Sequence, residues 1–102
     1  MFDMTKIKTR YFNLTLPNGT VLEVEPPKMK VLRKVLSLAT MDDINVQSID
    51  ELSEGLSLVL SKNKQNHKVT AKWLMDNMDI DGLVTLTTAY FNWVGEVQGS
   101  KN

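Results

Sequence analysis

Hydrophobic and polar residues alternate near the start of the chain with the period of a β-strand. Phe12, Leu14 and Leu16 lie on one side of this segment, and polar residues lie between them. A Pro-Asn-Gly turn follows at residues 17–19, and a second alternating segment follows the turn. The sequence therefore predicts a β-hairpin.

The register of this hairpin depends on the length of its turn. A two-residue turn would place the glutamates of the second strand opposite the apolar residues of the first. A three-residue loop, whose glycine takes a positive φ, instead pairs Leu14 with Leu22 and Phe12 with Val24. We expect the second register, because it keeps charged side chains off the apolar face.

Helical spacing of the apolar residues dominates the rest of the chain. Pro26 and Pro27 end the second strand, because proline has no amide proton to donate to a sheet. The predicted fold class is therefore α+β, mostly α, with an N-terminal β-hairpin followed by about four helices packed as a small bundle. The predicted elements are a hairpin at 11–25 and helices at about 28–39, 48–62, 70–78 and 81–97, within a single domain at 11–97 that is flanked by flexible segments at 1–10 and 98–102.

The buried faces and ends of the first two helices can also be predicted. Ser48 and Glu51 have the spacing of a capping box at the start of the second helix, and Asn63 can end this helix in a left-handed conformation. Gly55 inside it is either a tolerated glycine or a point where another helix comes close. The predicted core-facing residues are Met29, Leu32, Val35, Leu36 and Ala39 in the first helix and Ile49, Leu52, Leu56, Val59 and Leu60 in the second.

The end of the chain holds more apolar surface than one core contact requires. Four of its seven aromatic residues lie between Trp73 and Trp93, and the apolar residues of the last helix cover more than one face. Residues 83–87 also fit a strand because they include β-branched threonines, but we expect a helix since the apolar period continues to Val97. These large side chains either fill the core or contact a partner protein. The predicted partner-binding residues are Trp73, Met78, Tyr90, Phe91 and Trp93.

The net charge of the 102-residue chain is zero, but its two ends differ in sign. Residues 1–34 hold seven Lys and Arg against three Asp and Glu, a net charge of +4 that the remainder balances. Such a protein can pair head to tail as a homo-oligomer or bind an acidic partner. The glutamates of the second strand interrupt the basic residues and argue against nucleic acid. The cations of the first helix form either a solvated face or a basic patch for a partner; they are Lys28, Lys30, Arg33 and Lys34.

Composition argues against several kinds of chemistry. The chain has no cysteine for a disulfide or a thiolate ligand, and no apolar run long enough to span a bilayer. Its single histidine, His67, lies in a polar linker and is a weak basis for a metal site or a catalytic triad. Residues 77–82 match the first half of a calcium-binding loop, but Thr88 stands where the bidentate glutamate is needed. A helix cap is the better interpretation, and we expect no enzyme, metal site, cofactor or membrane partner.

Several short motifs, taken in their order along the chain, resemble a known family. They lie at residues 16–20, 25–28, 59–63, 69–70 and 90–94. In this order they resemble the small tail assembly chaperones of long-tailed bacteriophages and prophages of Gram-positive bacteria. The resemblance covers residues 12–97 and rests on turns, caps and aromatic packing positions.

The resemblance implies a non-enzymatic protein–protein interaction in tail morphogenesis. Such chaperones bind the long, largely helical tape measure protein and keep its apolar segments from aggregating. They act in the cytoplasm of the bacterial host and are absent from the mature virion. The implied partners are therefore the tape measure protein or other tail proteins, and the family has no catalytic residues.

Two other functions are compatible with the same residues. A structural virion component, such as a head–tail connector or tail accessory protein, would use the edge of the hairpin for ring assembly. A small DNA-binding regulator would use the cations of residues 28–34 and would bind DNA with a steep salt dependence.

Overall fold

An antiparallel hairpin followed by four α-helices forms the fold in the computed structural model of the chain, which describes residues 1–39 and 45–99. The predicted fold class is confirmed. Residues 40–44, which lie between the first two predicted helices, and residues 100–102 of the predicted flexible segment at 98–102 lie outside the described residues. The elements are a 3-10 turn at Met4–Lys6, β1 at Phe12–Thr15, β2 at Val21–Val24, α1 at Met29–Ala39, α2 at Val46–Ser61, α3 at Ala71–Asn77 and α4 at Ile80–Gly99.

The hairpin has the predicted register and the predicted turn. Leu14 lies opposite Leu22, and the flanking pairs agree with this alignment. Gly19 has a φ of 89°, and its amide donates to the carbonyl of Leu16 at 2.8 Å. The amide of Leu16 in turn donates to the carbonyl of Thr20 at 2.8 Å, which closes the three-residue loop.

The outer edge of β2 is covered by the segment that follows α2. The amide of Glu25 donates to the carbonyl of Lys62 at 2.8 Å, and the amide of Lys64 donates to the carbonyl of Glu23 at 2.9 Å. The side-chain oxygen of Gln65 accepts from the Glu23 amide at 2.7 Å. The polar linker therefore satisfies the backbone of β2, which an isolated hairpin would leave to water.

Asn63 holds this linker in place and is not the left-handed cap that the sequence predicts. Its backbone bridges to Val24, and its φ is not positive. Its side-chain amide donates to the carbonyls of Leu60 and His67 at 2.8 and 2.7 Å and its oxygen accepts from the His67 amide at 2.9 Å. The positive φ occurs instead at Asn66, at 57°. Asn63 thus closes the loop through its side chain.

Helix α1 packs on α2 at Gly55. A Cβ at this glycine would lie 2.9 Å from Cγ2 of Val35, closer than van der Waals contact allows. Of the two interpretations of Gly55, close approach of another helix is therefore correct and simple tolerance of a glycine is wrong. The face of α1 that meets α2 is centred on Val35, with Val31 and Leu38 beside it.

Two residues predicted to face the core from α1 do not do so. Met29 is 79% exposed, and Leu36 is also on the exposed side, whereas Val35 is fully buried as predicted and Leu32 is half-buried. The prediction was wrong for Met29 and Leu36, because the covered face of α1 runs through Val31, Val35 and Leu38 and shares only Val35 with the predicted stripe. The side chain of the fifth predicted residue, Ala39, lies outside the described residues.

Helix α2 begins earlier than predicted, because Asn45 and not Ser48 caps it. The Asn45 side chain accepts from the Ser48 amide at 2.8 Å, and the Ser48 hydroxyl accepts from the Asn45 amide at 2.9 Å. The capping box therefore involves Ser48 but lies one turn upstream. Of the predicted buried stripe of α2, Leu56, Val59 and Leu60 are fully buried and Leu52 packs on the core, whereas Ile49 is only half-buried.

Polar side chains cap α3 and α4, and the cap of α4 comes from the acidic turn at residues 77–82, as predicted. Thr70 accepts from the Trp73 amide at 3.0 Å, and Asp79 accepts from the Gly82 amide at 2.8 Å. Residues 83–87 are helical, as predicted, and the Thr87 hydroxyl donates to the carbonyl of Leu83 at 2.8 Å. This bond satisfies a hydroxyl that the core would otherwise leave unpaired.

The core lies where the hairpin meets the inner faces of the helices. The buried apolar residues are Leu16, Leu22, Val24, Val35, Leu56, Val59, Leu60, Val69, Leu74, Leu83, Leu86, Tyr90 and Trp93.

No helix in the described parts of the chain combines the length and the hydrophobicity that crossing a bilayer requires.

Candidate protein-binding surface

The five predicted partner-binding residues divide between the core and its margin. Tyr90 is 0% exposed and Trp93 is 8% exposed, so both belong to the core and neither is available to a partner in this structure. Trp73, Met78 and Phe91 are half-buried and pack against the core. Only these three can contribute side-chain surface to an interface.

Tyr90 and Trp93 are buried because the hairpin supplies a third ring. The ring of Phe12 meets that of Tyr90 edge to face, with centroids 5.6 Å apart, and lies 5.7 Å from that of Trp93. The centroid of the Tyr90 ring also lies 5.9 Å from that of Phe91 and 5.7 Å from that of Trp93. Such ring pairs each stabilise the fold by about 0.5–1.5 kcal/mol beyond their buried area. The aromatic residues of α4 thus fix β1 to this helix.

Arg10 covers the remaining side of Trp93. Its guanidinium donates to the Trp93 carbonyl at 2.8 Å and lies 4.3 Å from the centre of the ring. This combines a charge-assisted hydrogen bond with a cation–π contact. Arg10 and Trp93 are 83 positions apart, so no local pattern in the sequence could have indicated the pair.

The hydroxyl of Tyr90 is buried and has no hydrogen-bond partner among the described residues. Burial raises the pKa of the Tyr90 phenol, because the charged phenolate would be poorly solvated there. The group is therefore neutral over the physiological pH range and contributes no charge to the surface.

An open groove lies between β1 and α4, and we call it the β1–α4 groove. Its volume is about 600 Å³, within the range of protein pockets that hold ligands. Most of its surface is apolar, and Asp81 is the one charged residue among those that line it. The groove is lined by residues 12–17 of the hairpin and by Met78, Asp81, Gly82, Thr85, Leu86 and Ala89.

The strand and the helix that form the β1–α4 groove run in opposite directions. Phe12 contacts Tyr90 and Trp93 in the second half of α4, whereas Asp81 lies in its first turn. One end of the groove therefore lies at Phe12, and the other lies near Pro17 and Asp81.

The groove also borders an unpaired strand edge. Glu23 directs its backbone groups toward the linker, so Leu22 and Val24 direct theirs toward β1. By the same alternation, Asn13 and Thr15 direct their backbone groups away from β2. Within residues 1–39 and 45–99, no third strand pairs with this edge. It can accept hydrogen bonds from an added segment of chain.

Met78, one of the five predicted partner-binding residues, lines two cavities. It lines the β1–α4 groove and also a smaller hollow of about 240 Å³, which lies between α2 and the α3–α4 connection. Ile49, Leu74 and Leu83 line the smaller hollow as well. Because methionine is flexible, Met78 can adjust to different occupants of either space.

The four cations of the predicted basic patch are all exposed on or beside α1. Lys28 precedes the helix, and its main-chain oxygen accepts from the Leu32 amide at 3.0 Å. None of the four forms an ion pair with a residue that the structure describes; they are Lys28, Lys30, Arg33 and Lys34. Exposed Met29 lies among them, so the patch is a mixed basic and apolar surface.

The described residues offer no group of three or more side chains that could hold a metal ion. The residues that resemble half of a calcium loop serve other contacts: Asp79 caps α4, and Asn77 donates to the carbonyl of Trp73 at 2.9 Å. His67 is held through its backbone, and its ring is exposed. Among the described residues, the β1–α4 groove, which Met78 helps to line, is therefore our candidate for a binding site. No family model, curated protein or solved structure matches this chain.

Proposed function

We propose that the protein is a tail assembly chaperone that holds apolar segments of a tape measure protein in the β1–α4 groove during tail morphogenesis. The observation that carries this proposal is the open apolar groove, which leaves hydrophobic surface available on a folded subunit. The motifs at residues 16–20, 59–63 and 90–94 support the assignment to the tail assembly family by resemblance.

The size of the groove suits reversible binding. Two or three apolar side chains of a client would fill it, and each contributes about 1.5–3 kcal/mol when it leaves water. Association itself costs several kcal/mol in lost motion and ordered side chains. The balance is a modest affinity, which suits a chaperone that must release its client before the tail is complete.

The lining of the groove suits a client of varied sequence. Apolar contacts from Leu14, Leu86 and Met78 require no fixed geometry, and methionine repacks readily. The unpaired backbone groups of Asn13 and Thr15 can hydrogen-bond to the backbone of an extended client segment, and such bonds do not depend on the side chains of the client. A tape measure protein presents many related apolar segments, and each can occupy the groove of one chaperone copy.

A matched pair of substitutions on α4 tests the proposal. Thr85 lines the groove and Thr88 does not, although both are exposed threonines on the same helix. We expect Thr85→Arg to weaken capture of the co-expressed tape measure protein by at least about tenfold, since the arginine fills the groove with a charged side chain. Thr88→Arg should leave capture unchanged. A pull-down with quantified bound client measures both variants.

Two outcomes would contradict the proposal. The first is equal loss or equal retention of binding in the two variants, which would place the client elsewhere on the surface. The second is the absence of any complex between the wild-type protein and the co-expressed tape measure protein. Thermal unfolding of each variant should be recorded alongside, so that lost binding is not confused with lost folding.

The free edge of β1 favours one alternative, a structural virion component that assembles through strand pairing. This alternative predicts that the protein remains in purified particles, whereas a chaperone leaves before completion. Mass spectrometry of purified virions distinguishes the two functions.

A further inference from the structure

The first nine residues expose an unusual amount of apolar surface. Phe2, Met4 and Ile7 are 76%, 70% and 53% exposed, and all of residues 1–9 lie on the outside of the molecule. We call this segment the N-terminal arm. Large apolar side chains gathered on one exposed segment typically mark a surface that another protein covers.

The arm has local structure that groups these side chains. Residues Met4–Lys6 form a 3-10 turn, which Asp3 caps by accepting from the amide and the hydroxyl of Thr5 at 3.0 and 2.7 Å. These hydrogen bonds lower the pKa of the Asp3 carboxyl. In such a turn, residues three positions apart share a face, so Met4 and Ile7 project together.

The β1–α4 groove is complementary to the arm in polarity and in charge. The groove is apolar and open, and its charged lining residue is Asp81, with Asp79 capping the same helix end. The arm carries Lys6 and Lys8 beside its apolar face. Apolar side chains can therefore enter the groove while a lysine approaches the carboxylates at its end.

The arm of another copy reaches this groove more easily than the arm of the same copy. Arg10 is held against Trp93 at the Phe12 end of the groove. To enter its own groove, the arm would have to reverse direction beside β1 within a residue or two of this fixed point. Binding to a neighbouring copy requires no reversal.

We propose that the N-terminal arm of one copy binds in the β1–α4 groove of a second copy, with Phe2, Met4 and Ile7 as its apolar contacts. After this contact forms, the copy that gave its arm still has a free groove, and the copy that gave its groove still has a free arm. The contact is therefore heterologous, and further copies add in rows or close into rings. This self-association does not depend on the identity of the client.

Sedimentation of the full chain over a wide range of concentration tests the proposal. We expect the mass of the wild-type protein to rise with concentration beyond that of a dimer. The variant Phe2→Ser/Met4→Ser/Ile7→Ser should have a dissociation constant at least about tenfold higher, because it loses the apolar contacts of the arm. Thr85→Arg should have the same effect by filling the groove, whereas Thr88→Arg should associate like the wild type.

A control variant and a mixture of two variants distinguish arm exchange from non-specific hydrophobic association. The control, Met29→Ser/Leu58→Ser/Val84→Ser, removes three other exposed apolar side chains and should associate like the wild type. Mixing the arm variant with Thr85→Arg should give a one-to-one complex that does not grow. One member of this pair supplies a groove and the other supplies an arm.

Several results would overturn the proposal. A wild-type protein that stays monomeric at every concentration excludes exchange, whether its arm is free or bound to its own groove. Association of the arm variant equal to that of the wild type, or a mixture that forms no one-to-one complex, excludes the arm as the contact. These assays contain no client, so they are independent of the test of tape measure binding.

Discussion

At the scale of single residues, Tyr90 is the least well satisfied group in the core. It brings an aromatic ring into contact with Phe12, Phe91 and Trp93, but its hydroxyl is buried without a partner among the described residues. The ring stabilises the fold, whereas the unpaired hydroxyl opposes it by about 1–3 kcal/mol. The two parts of one side chain can be separated by mutation.

Removing the hydroxyl should stabilise the protein. We expect Tyr90→Phe to raise the free energy of unfolding by about 1 kcal/mol, because phenylalanine keeps the ring contacts and buries no unpaired polar atom. Urea unfolding at neutral pH measures the difference. A loss of stability would show that the hydroxyl is hydrogen-bonded, for example to an ordered water molecule.

The same variant should change how stability depends on pH. Burial raises the pKa of Tyr90 in the folded state above its ordinary value of 10.0, so the unfolded chain releases this proton first as the pH rises. The contribution of the neutral phenol to the free energy of unfolding is complete below about pH 10. Above pH 10 the free energy of unfolding falls by up to about 1.4 kcal/mol per pH unit. Tyr90→Phe has no such proton, so its advantage over the wild type should grow above pH 10.

Residue-scale predictions succeeded where the cause was local. The acidic turn at residues 77–82 was predicted to cap a helix, and Asp79 caps α4 by accepting from the Gly82 amide three positions later. The burial of Tyr90 and the pairing of Arg10 with Trp93 could not be predicted, since both depend on how β1 approaches α4. The apolar pattern identified the large side chains but not which of them a neighbouring element covers.

At the scale of elements, the approach of α1 to α2 depends on Gly55 having no side chain. The closest atom to a Cβ at this position belongs to Val35, which is itself fully buried. A core that is already close-packed cannot make room without moving one helix. The pair therefore sets the distance between α1 and α2.

Alanine at position 55 should destabilise the fold, although alanine favours helices. We expect Gly55→Ala to lower the free energy of unfolding by about 1–3 kcal/mol, because overpacking at Val35 outweighs a propensity gain of up to about 1 kcal/mol. In a Val35→Ala background the added methyl group has space, so the double variant should be more stable than the sum of the single effects by about 1 kcal/mol or more.

A glycine without neighbours provides the control for this experiment. A Cβ at Gly95 in α4 would meet no atom within 4 Å, so Gly95→Ala should stabilise the protein by roughly 0.5–1 kcal/mol. Thermal or urea unfolding of the four variants measures these differences. A stabilising Gly55→Ala would show that α1 can move away from α2 at little cost.

The elements themselves were largely predictable, and their ends and faces less so. The turn at residues 17–19 determined the register of the hairpin, because only one loop length keeps glutamates off the apolar face. The start of α2 was missed because Asn45 caps a helix as well as Ser48 does. The exposed face of α1 was misjudged at Met29, since the apolar residues of this helix cover about half of its circumference and the rest of the molecule covers only part of that half.

At the scale of the whole molecule, the candidate site could not be predicted from the sequence. The β1–α4 groove combines residues 12–17 with residues from 78–89, and only the tertiary structure brings these segments together. Of the five residues predicted to bind a partner, Met78 alone lines the groove. The structure has an open apolar groove, but the location of this groove depends on how the strand and the helix pack.

Client binding and self-association use the same groove in our proposals, so each should oppose the other. We expect a soluble apolar fragment of the tape measure protein to reduce the sedimenting mass of wild-type assemblies as its concentration rises. Competition of this kind lowers self-association by mass action without any change in fold. Simultaneous binding, with no decrease in mass, would show that the arm and the client occupy different surfaces.

The contact between Arg10 and Trp93 also limits the geometry of any assembly. Only residues 8 and 9 lie between Arg10 and Ile7, the nearest proposed contact of the arm, so this tether spans at most about 10 Å when fully extended. The part of the neighbouring groove that receives Ile7 must therefore lie within that distance of Arg10, whatever the angle between the subunits. Lengthening the tether with inserted glycines would therefore loosen the spacing between subunits while leaving each contact intact.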